Sequence, residues 1–479
     1  MLRHLRIENF KAWKDTGDME LAPLSVFLGT NSSGKSSIIQ FLLMLKQTMQ
    51  DPDPAVVLNT GDDHSIVDVG VPSQMLYGHD TSQPLRFSYD WDVETPFRFT
   101  LDSEFPEETL PTLRRTEDEG AYRFGTDVRF RGSLFVKKAA GALDVESLYY
   151  LVSHGDSDWF SVETRREKEA GYRMVLDGFE EEPVAVDSSA RPFKFYGFSD
   201  EAAAESQQPS TLRTLNQIHP QLFSNLFYLG PLRDRTSRLY TWKGTSPSDV
   251  GTDGRNAVFA MLSARSELRK FRIEGKSMDY DIDTAVAEML KKMGLIQEFR
   301  VRKFGEGRSE YEVQVKTKGS PVWADLPDVG CGVSQVLPVL VELFYAPSGS
   351  ILLMEQPELH LHPSAQAALA DVMIDAVRAR ENGKPRNLQL LIETHSEYFL
   401  RRLQRRIAEK AVGEELVRGY FSDTGTDPFQ LRKLEMDAYG NILNWPKDFF
   451  GDMAGDIFAQ AEAAFDRKRA EYEQDAAHH

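Results

Sequence analysis

Cysteine is almost absent: Cys331 stands alone in 479 residues. One thiol excludes an intramolecular disulfide framework and fits a reducing cytoplasm. No uninterrupted apolar run approaches the roughly 20 residues that a membrane span needs, so no membrane role is expected. Met1 to Lys11 alternates charged and apolar residues, unlike a signal peptide. Positive charge is in short supply too: 56 Lys and Arg face 74 Asp and Glu, a net charge of −18. The overall field repels phosphate, so any nucleic-acid contact must come from a local patch. No sustained heptad repeat runs through the helical segment 201–297, so a long coiled coil is not expected there.

What is present is globular: 41% hydrophobic and 27% charged residues. The length suggests roughly three domains, or one large core with insertions. The chain is organised around Gly29-Thr30-Asn31-Ser32-Ser33-Gly34-Lys35-Ser36-Ser37, which fits G-x-x-x-x-G-K-[S/T]. An apolar run, Leu24 to Leu28, precedes it, and a helical apolar run, Ile38 to Leu45, follows. In that strand–loop–helix setting the glycines let backbone N–H groups from Asn31 to Ser37 wrap a phosphate. Lys35 would reach the β and γ phosphates of ATP, and the Ser36 hydroxyl would ligate Mg²⁺.

Residues 1–200 read as an N-terminal lobe. Leu5, Ile7 and Phe10 open it as a strand. Leu85, Phe87, Tyr89 and Trp91 alternate as in a half-buried strand, and Phe97, Phe99 and Leu101 repeat the pattern. Further strands are expected near 121–137, 147–153, 159–164 and 171–176, together an antiparallel layer. Residues 201–297 read as a helical insertion: a helix from Asn256 to Phe271, then one with Val286, Met289, Leu290 and Met293 on one face behind an Asp283 cap. Residues 298–443 alternate strand and helix, as in a parallel α/β sheet. A tail (444–475) follows, carrying Asn444-Trp445-Pro446 and a charged helix. Residues 476–479 read as a tag remnant.

Three constellations lie in the C-terminal lobe. Ser350 to Glu355 is an apolar strand ending in an acid, a Walker B pattern that would present Glu355 to Mg²⁺ at the sheet edge. Leu390 to Ser396 is a second such strand, ending in His395 where a γ-phosphate sensor would sit. Asp328 to Gln335 places Gly330, Gly332 and Ser334 at a helix N-terminus, a second anion site that cannot share the phosphates of Lys35 and could serve those of another subunit. Arg401, Arg402, Arg405 and Arg406 share a helical face that could meet nucleic acid or an acidic partner; solvated ion pairs are the plainer reading. His360 and His362 read as packing residues rather than a metal pair.

In that order the motifs resemble ABC-type ATPases of the SMC and RecF group. Glu355-Gln356-Pro357-Glu358-Leu359-His360-Leu361-His362-Pro363, Tyr228-Leu229-Gly230-Pro231-Leu232-Arg233 and the Asn-Trp-Pro tail resemble more closely a bacterial AAA15-type family. That family is related to the ATPases of overcoming-lysogenization-defect nucleases and Septu-like phage defence. The resemblance implies an α/β, ABC-type P-loop fold with an antiparallel β layer and a short helical arm. It also implies a head-to-tail homodimer or higher homo-oligomer around two ATPs, with Ser334 of one subunit at the γ-phosphate held by Lys35 of the other. Three departures stand out. No TOPRIM nuclease domain is visible, so a nuclease or toxin effector would be a separate protein. No Gln follows the strand at 227–230, where Arg233 or Gln221 could substitute. Position 356, usually a catalytic Glu, is Gln, which leaves Gln356, Glu358 and His395 as the candidates for handling the attacking water. Three functions stay open: a defence-system ATPase subunit, a RecF-like DNA-binding repair ATPase, and a regulator that holds ATP without turnover.

Overall fold

A computed structural model describes residues 1–93, 98–100, 121–123, 126–137, 141–154, 157–167, 171–179, 183–188, 191–206, 208–305, 307–445, 455, 458–465 and 467–469. Phe97, Leu101, Pro446 and the 476–479 stretch lie outside them.

In chain order, β1 is Leu2–Phe10, β2 is Leu24–Gly29, and α1 is Lys35–Gln50. The alternating segment becomes β3, Leu85–Val93. Then come β4 (Thr126–Val136), β5 (Leu143–His154), β6 (Ser157–Glu167), β7 (Gly171–Asp177) and β8 (Val184–Ser188). Among the described residues these build a nine-stranded sheet in the order β8-β7-β6-β5-β4-β3-β1, completed by two short strands against β1. Ile7 faces Phe87 and Leu5 faces Tyr89 across an antiparallel ladder. The inward rows of this sheet meet α1 and α2 (Pro209–Ser224) in one apolar interior. His219 of α2 is fully buried there, with the hydroxyls of Tyr89 and Tyr150 each 2.7 Å from one of its ring nitrogens.

The second sheet carries the phosphate loop. Its strands are β2, β9 (Leu226–Leu229), β12 (Ile351–Glu355), β13 (Gln389–Glu393), β14 (Val417–Asp423) and β15 (Gln430–Lys433). The order is β9-β12-β13-β2-β14-β15, parallel except for the last pair. The short runs are apolar on both sides because both faces are covered. Leu352, Met354, Leu390, Ile392 and Val26 point to one interior, with α3 (Ala257–Ser266), α4 (Ile282–Lys292), α5 (Cys331–Tyr345) and α6 (Pro363–Arg378). Ile351, Leu353, Leu391 and Phe27 point to the other, with α1. Strands β10 (Glu298–Lys303) and β11 (Glu310–Lys316) pair antiparallel beside α4. The last helix of the lobe is α7, Glu397–Ala408, packed on α6.

Some local expectations are corrected. The helix from Asn256 stops at Ser266, and Phe271–Arg272 is a short strand. The cap of α4 is Asp281, whose side chain accepts the Thr284 N–H at 2.8 Å; Asp283 lies in the first turn and pairs with Arg265 at 2.9 Å. The four arginines of α7 are held in ion pairs, which agrees with the plainer of their two readings. Arg402 and Arg406 both grip the buried Asp371 of α6, at 2.5 and 2.7 Å. Arg405 pairs with Glu409, and Arg401 with Glu397 while lying over the Trp445 ring. Gln221, on an exposed turn of α2, faces solvent. Among the described residues no helix is long and apolar enough to cross a membrane.

Candidate nucleotide site

Strand alternation decides which side chains reach the phosphate loop. Ile351 and Leu353 face α1, so Glu355 does too; Leu391 places Glu393 on that side, and Leu226 does the same for Tyr228. All three side chains end parallel strands at the carboxyl edge of the sheet, where α/β folds bind ligands. The N-terminus of α1 opens onto the same edge, adding its N–H groups.

The loop itself is held from below. Trp13 donates its indole N–H to the Gly34 carbonyl at 2.9 Å, and the Ser422 hydroxyl donates to the Ser33 carbonyl. Gly34 has φ +88°, and a Cβ there would sit 2.8 Å from the Ala12 Cβ and 3.0 Å from the Trp13 ring. Only glycine fits that turn. Lys35 donates to the Thr30 carbonyl at 2.6 Å. Burial lowers its pKa, and Glu393 partly offsets the shift.

Asn31, Ser32, Ser33, Gly34, Lys35, Ser36 and Ser37 line a cavity of about 490 Å³ together with Gln356, Glu393 and His395. The strand ends thus bring the phosphate loop, the amide after Walker B and the candidate sensor to one place. Gln356 is held there in the left-handed region, φ +45°, with its N–H bonded to the Glu393 carbonyl at 2.8 Å. Burial lowers the His395 pKa, and the charge of Lys35 adds to the effect.

Glu355 and Glu358 stand outside the lining of that cavity. Glu355 accepts the Tyr228 hydroxyl at 2.9 Å. Burial, then the neighbouring charge of Glu393, pushes its pKa up to about 7. Glu358 is buried behind the sensor and accepts the Thr394 hydroxyl at 2.6 Å. Arg233 lies close to this acidic row: burial lowers its pKa to about 10, opposed by Tyr228, Glu355, Asp253 and Glu358. Gly332 and Ser334 also lie outside the cavity, at the first turn of α5, where the Ser334 hydroxyl donates to the Cys331 carbonyl at 2.9 Å. His362 caps α6 by accepting the Ser364 N–H.

The sequence reading missed two residues here. Glu393 was visible as an acid ending an apolar strand beside His395, the same signal that marked Glu355. Tyr228 gave no signal beyond strand alternation.

Divalent metal fits this set. The buried Glu393 Oε2 and Glu358 Oε2 have no hydrogen-bond partner, and a hydroxyl with nearby carboxylates is the oxygen-rich donor set that Mg²⁺ takes.

A phosphate-cradling loop at a helix N-terminus, on a parallel sheet whose neighbouring strands end in acids, defines a P-loop ATPase. The chain belongs to the AAA ATPase domain family (AAA_15), which it matches over residues 1–92 and 205–400. Residues 420–460 match a family of proteins of unknown function (DUF3696). No curated protein matches the chain. Among solved structures it is similar to an Smc head bound to the C-winged helix domain of ScpA, with 11% identity over 91% of this chain and 98% of that one, TM-score 0.38. The SMC head domain from Thermotoga maritima shares 9% identity over 91% and 99%, TM-score 0.36. An Smc head with an extended coiled coil, bound to the C-terminal domain of ScpA derived from Pyrococcus furiosus, shares 10% over 91% and 96%, TM-score 0.37.

Proposed function

We propose that the chain is a cytoplasmic, Mg²⁺-dependent ATPase subunit that dimerises head-to-tail on ATP and controls a separate effector, a nuclease or toxin, in bacterial anti-phage defence. The observation that carries the dimer is the second glycine-bearing helix start. Gly332 and Ser334 present N–H groups at the head of α5, away from their own phosphate cavity. Such a helix N-terminus favours an anion, and a γ-phosphate carried by another copy supplies one.

Within one protomer the chain's own groups divide the work. The loop N–H groups and Lys35 bind the phosphates, and Ser36 with the adjacent carboxylates would hold Mg²⁺, which supplies charge neutralisation at the phosphates when bound. Gln356 and His395 reach the same cavity and orient water by hydrogen bonds. Gln356 cannot accept a proton, which favours a slow, long-lived ATP state over brisk turnover. A DNA-repair role finds less support, because Arg401, Arg402, Arg405 and Arg406 are engaged with acids of their own chain.

Sedimentation with and without ATP tests the dimer. Ser334→Arg should bind ATP as the wild type does and lose the ATP-dependent increase in mass. A mutant that still assembles on ATP would sink the head-to-tail reading.

A further inference from the structure

We propose that Glu393, rather than the Walker B residue Glu355, is the carboxylate that holds the nucleotide's divalent cation together with Ser36. This rests on the ATP-site reading above.

Topology gives the first argument. Glu355 and Glu393 are partners in register on neighbouring parallel strands, and both project toward α1. But β13 lies directly beside the loop strand β2, whereas β12 is one strand further away. With strands about 4.8 Å apart, Glu355 starts roughly 10 Å from the loop strand and Glu393 about half of that.

The contacts agree. Ser36 and Glu393 line the same cavity, close enough that the Ser36 hydroxyl holds the Glu393 pKa down against the burial that raises it. Glu355 is drawn the other way, to the Tyr228 hydroxyl at 2.9 Å. Glu393 lines the phosphate cavity, and Glu355 does not.

Burial gives the third argument. Glu393 is 4% exposed, and its Oε2 has no hydrogen-bond partner. An unpartnered carboxylate oxygen is costly to bury. A hard cation, which takes oxygen ligands, would satisfy it. Glu355 then acts as a positioning residue, tying the end of β12 to Tyr228.

The test is the Mg²⁺ dependence of nucleotide affinity, read with a fluorescent ATP analogue in EDTA and in Mg²⁺. Wild type should bind in EDTA and tighten in Mg²⁺. Glu393→Gln should keep the EDTA affinity and lose about tenfold or more of the tightening, as loss of a metal-site carboxylate does. Glu355→Gln should keep most of it. Melting of the nucleotide-free proteins separates a ligand from a structural residue. Glu393→Gln removes a buried charge without changing shape, so its melting temperature should equal or exceed that of wild type. Full Mg²⁺ tightening in Glu393→Gln, or a melting temperature several degrees lower, would overturn the assignment. If the wild type itself fails to bind the analogue, the ATP-site reading fails instead.

Discussion

Glu358 accepts the backbone N–H of His395 at 2.9 Å, joining positions 37 apart in sequence. The same oxygen takes the Thr394 hydroxyl. The turn after β12 therefore fixes the turn after β13, and Glu358 sets where His395 stands without itself entering the phosphate cavity. This separates the two candidates for handling the attacking water: Gln356 is on the cavity wall, Glu358 is behind it.

From that separation, Gln356→Glu should raise the single-turnover rate of ATP hydrolysis by about tenfold or more, a barrier change of roughly 1.4 kcal/mol. Glu358→Gln keeps an acceptor for both donors and should change the rate less. Rapid-quench measurements on both variants decide the matter. Brisk wild-type turnover, unchanged by Gln356→Glu and abolished by Glu358→Gln, would make Glu358 the base.

Gly34→Ala should cost nucleotide affinity far more than stability. Its Cβ would press on Ala12 and Trp13, and its φ of +88° is unfavourable for any side chain. The left-handed conformation alone costs about 1–2 kcal/mol, which the loop can relieve by moving out of its cradle. Calorimetric titration should show ATP binding weakened by about tenfold or more. The melting temperature should fall by only a few degrees, roughly what that strain amounts to in a chain of this size. Wild-type affinity in this variant would mean that the loop does not close on phosphate as described.

Glu342 gives a pH signature. It is 2% exposed on α5, and burial pushes its pKa up to about 8. In the unfolded chain it would titrate near 4.3. Between those values the folded state holds the proton more tightly. The stability it contributes is therefore complete below the lower value and falls as pH rises through the window, by up to about 1.4 kcal/mol per unit. Glu342→Gln imitates the protonated form. Thermal melts from pH 5 to 8 should show the variant gaining steadily on wild type. A constant difference would mean that Glu342 is ionised throughout.

How much could be read beforehand follows from where each signal is stored. The phosphate loop and His395 were legible as neighbours because each sits in a fixed spacing against an apolar strand, and both line one cavity; Glu355 was legible only as the acid ending such a strand. The antiparallel layer was legible because Leu85, Phe87, Tyr89 and Trp91 alternate and all four are buried. The place of Glu393 beside the phosphate loop was hidden because no periodicity says which strand will lie beside which. Its place next to the loop depends on β13 inserting between β12 and β2. That the α7 arginines carry counter-ions was readable, but which ones was only half so: spacing along the helix offers Glu397 and Glu409, whereas Asp371 comes from another helix. The cap at Asp281 rather than Asp283 was a choice between two acids two residues apart, settled by which backbone N–H was within reach.

The position of β2 also bears on how the protein is made. Both its neighbours, β13 and β14, come from the last quarter of the chain. The side chain of Gln389 bonds both backbone groups of Leu2 across 387 residues, and Tyr420 reaches Glu20 across 400. A ribosome adding about 5–20 residues per second would take roughly 20–80 s to supply those partners after the phosphate loop has emerged. Through that interval the loop strand is unpaired on both edges. A nascent or prematurely ended chain would display the complete Gly29–Ser37 motif yet have no sheet to hold it, so nucleotide capture would report that translation has passed β14.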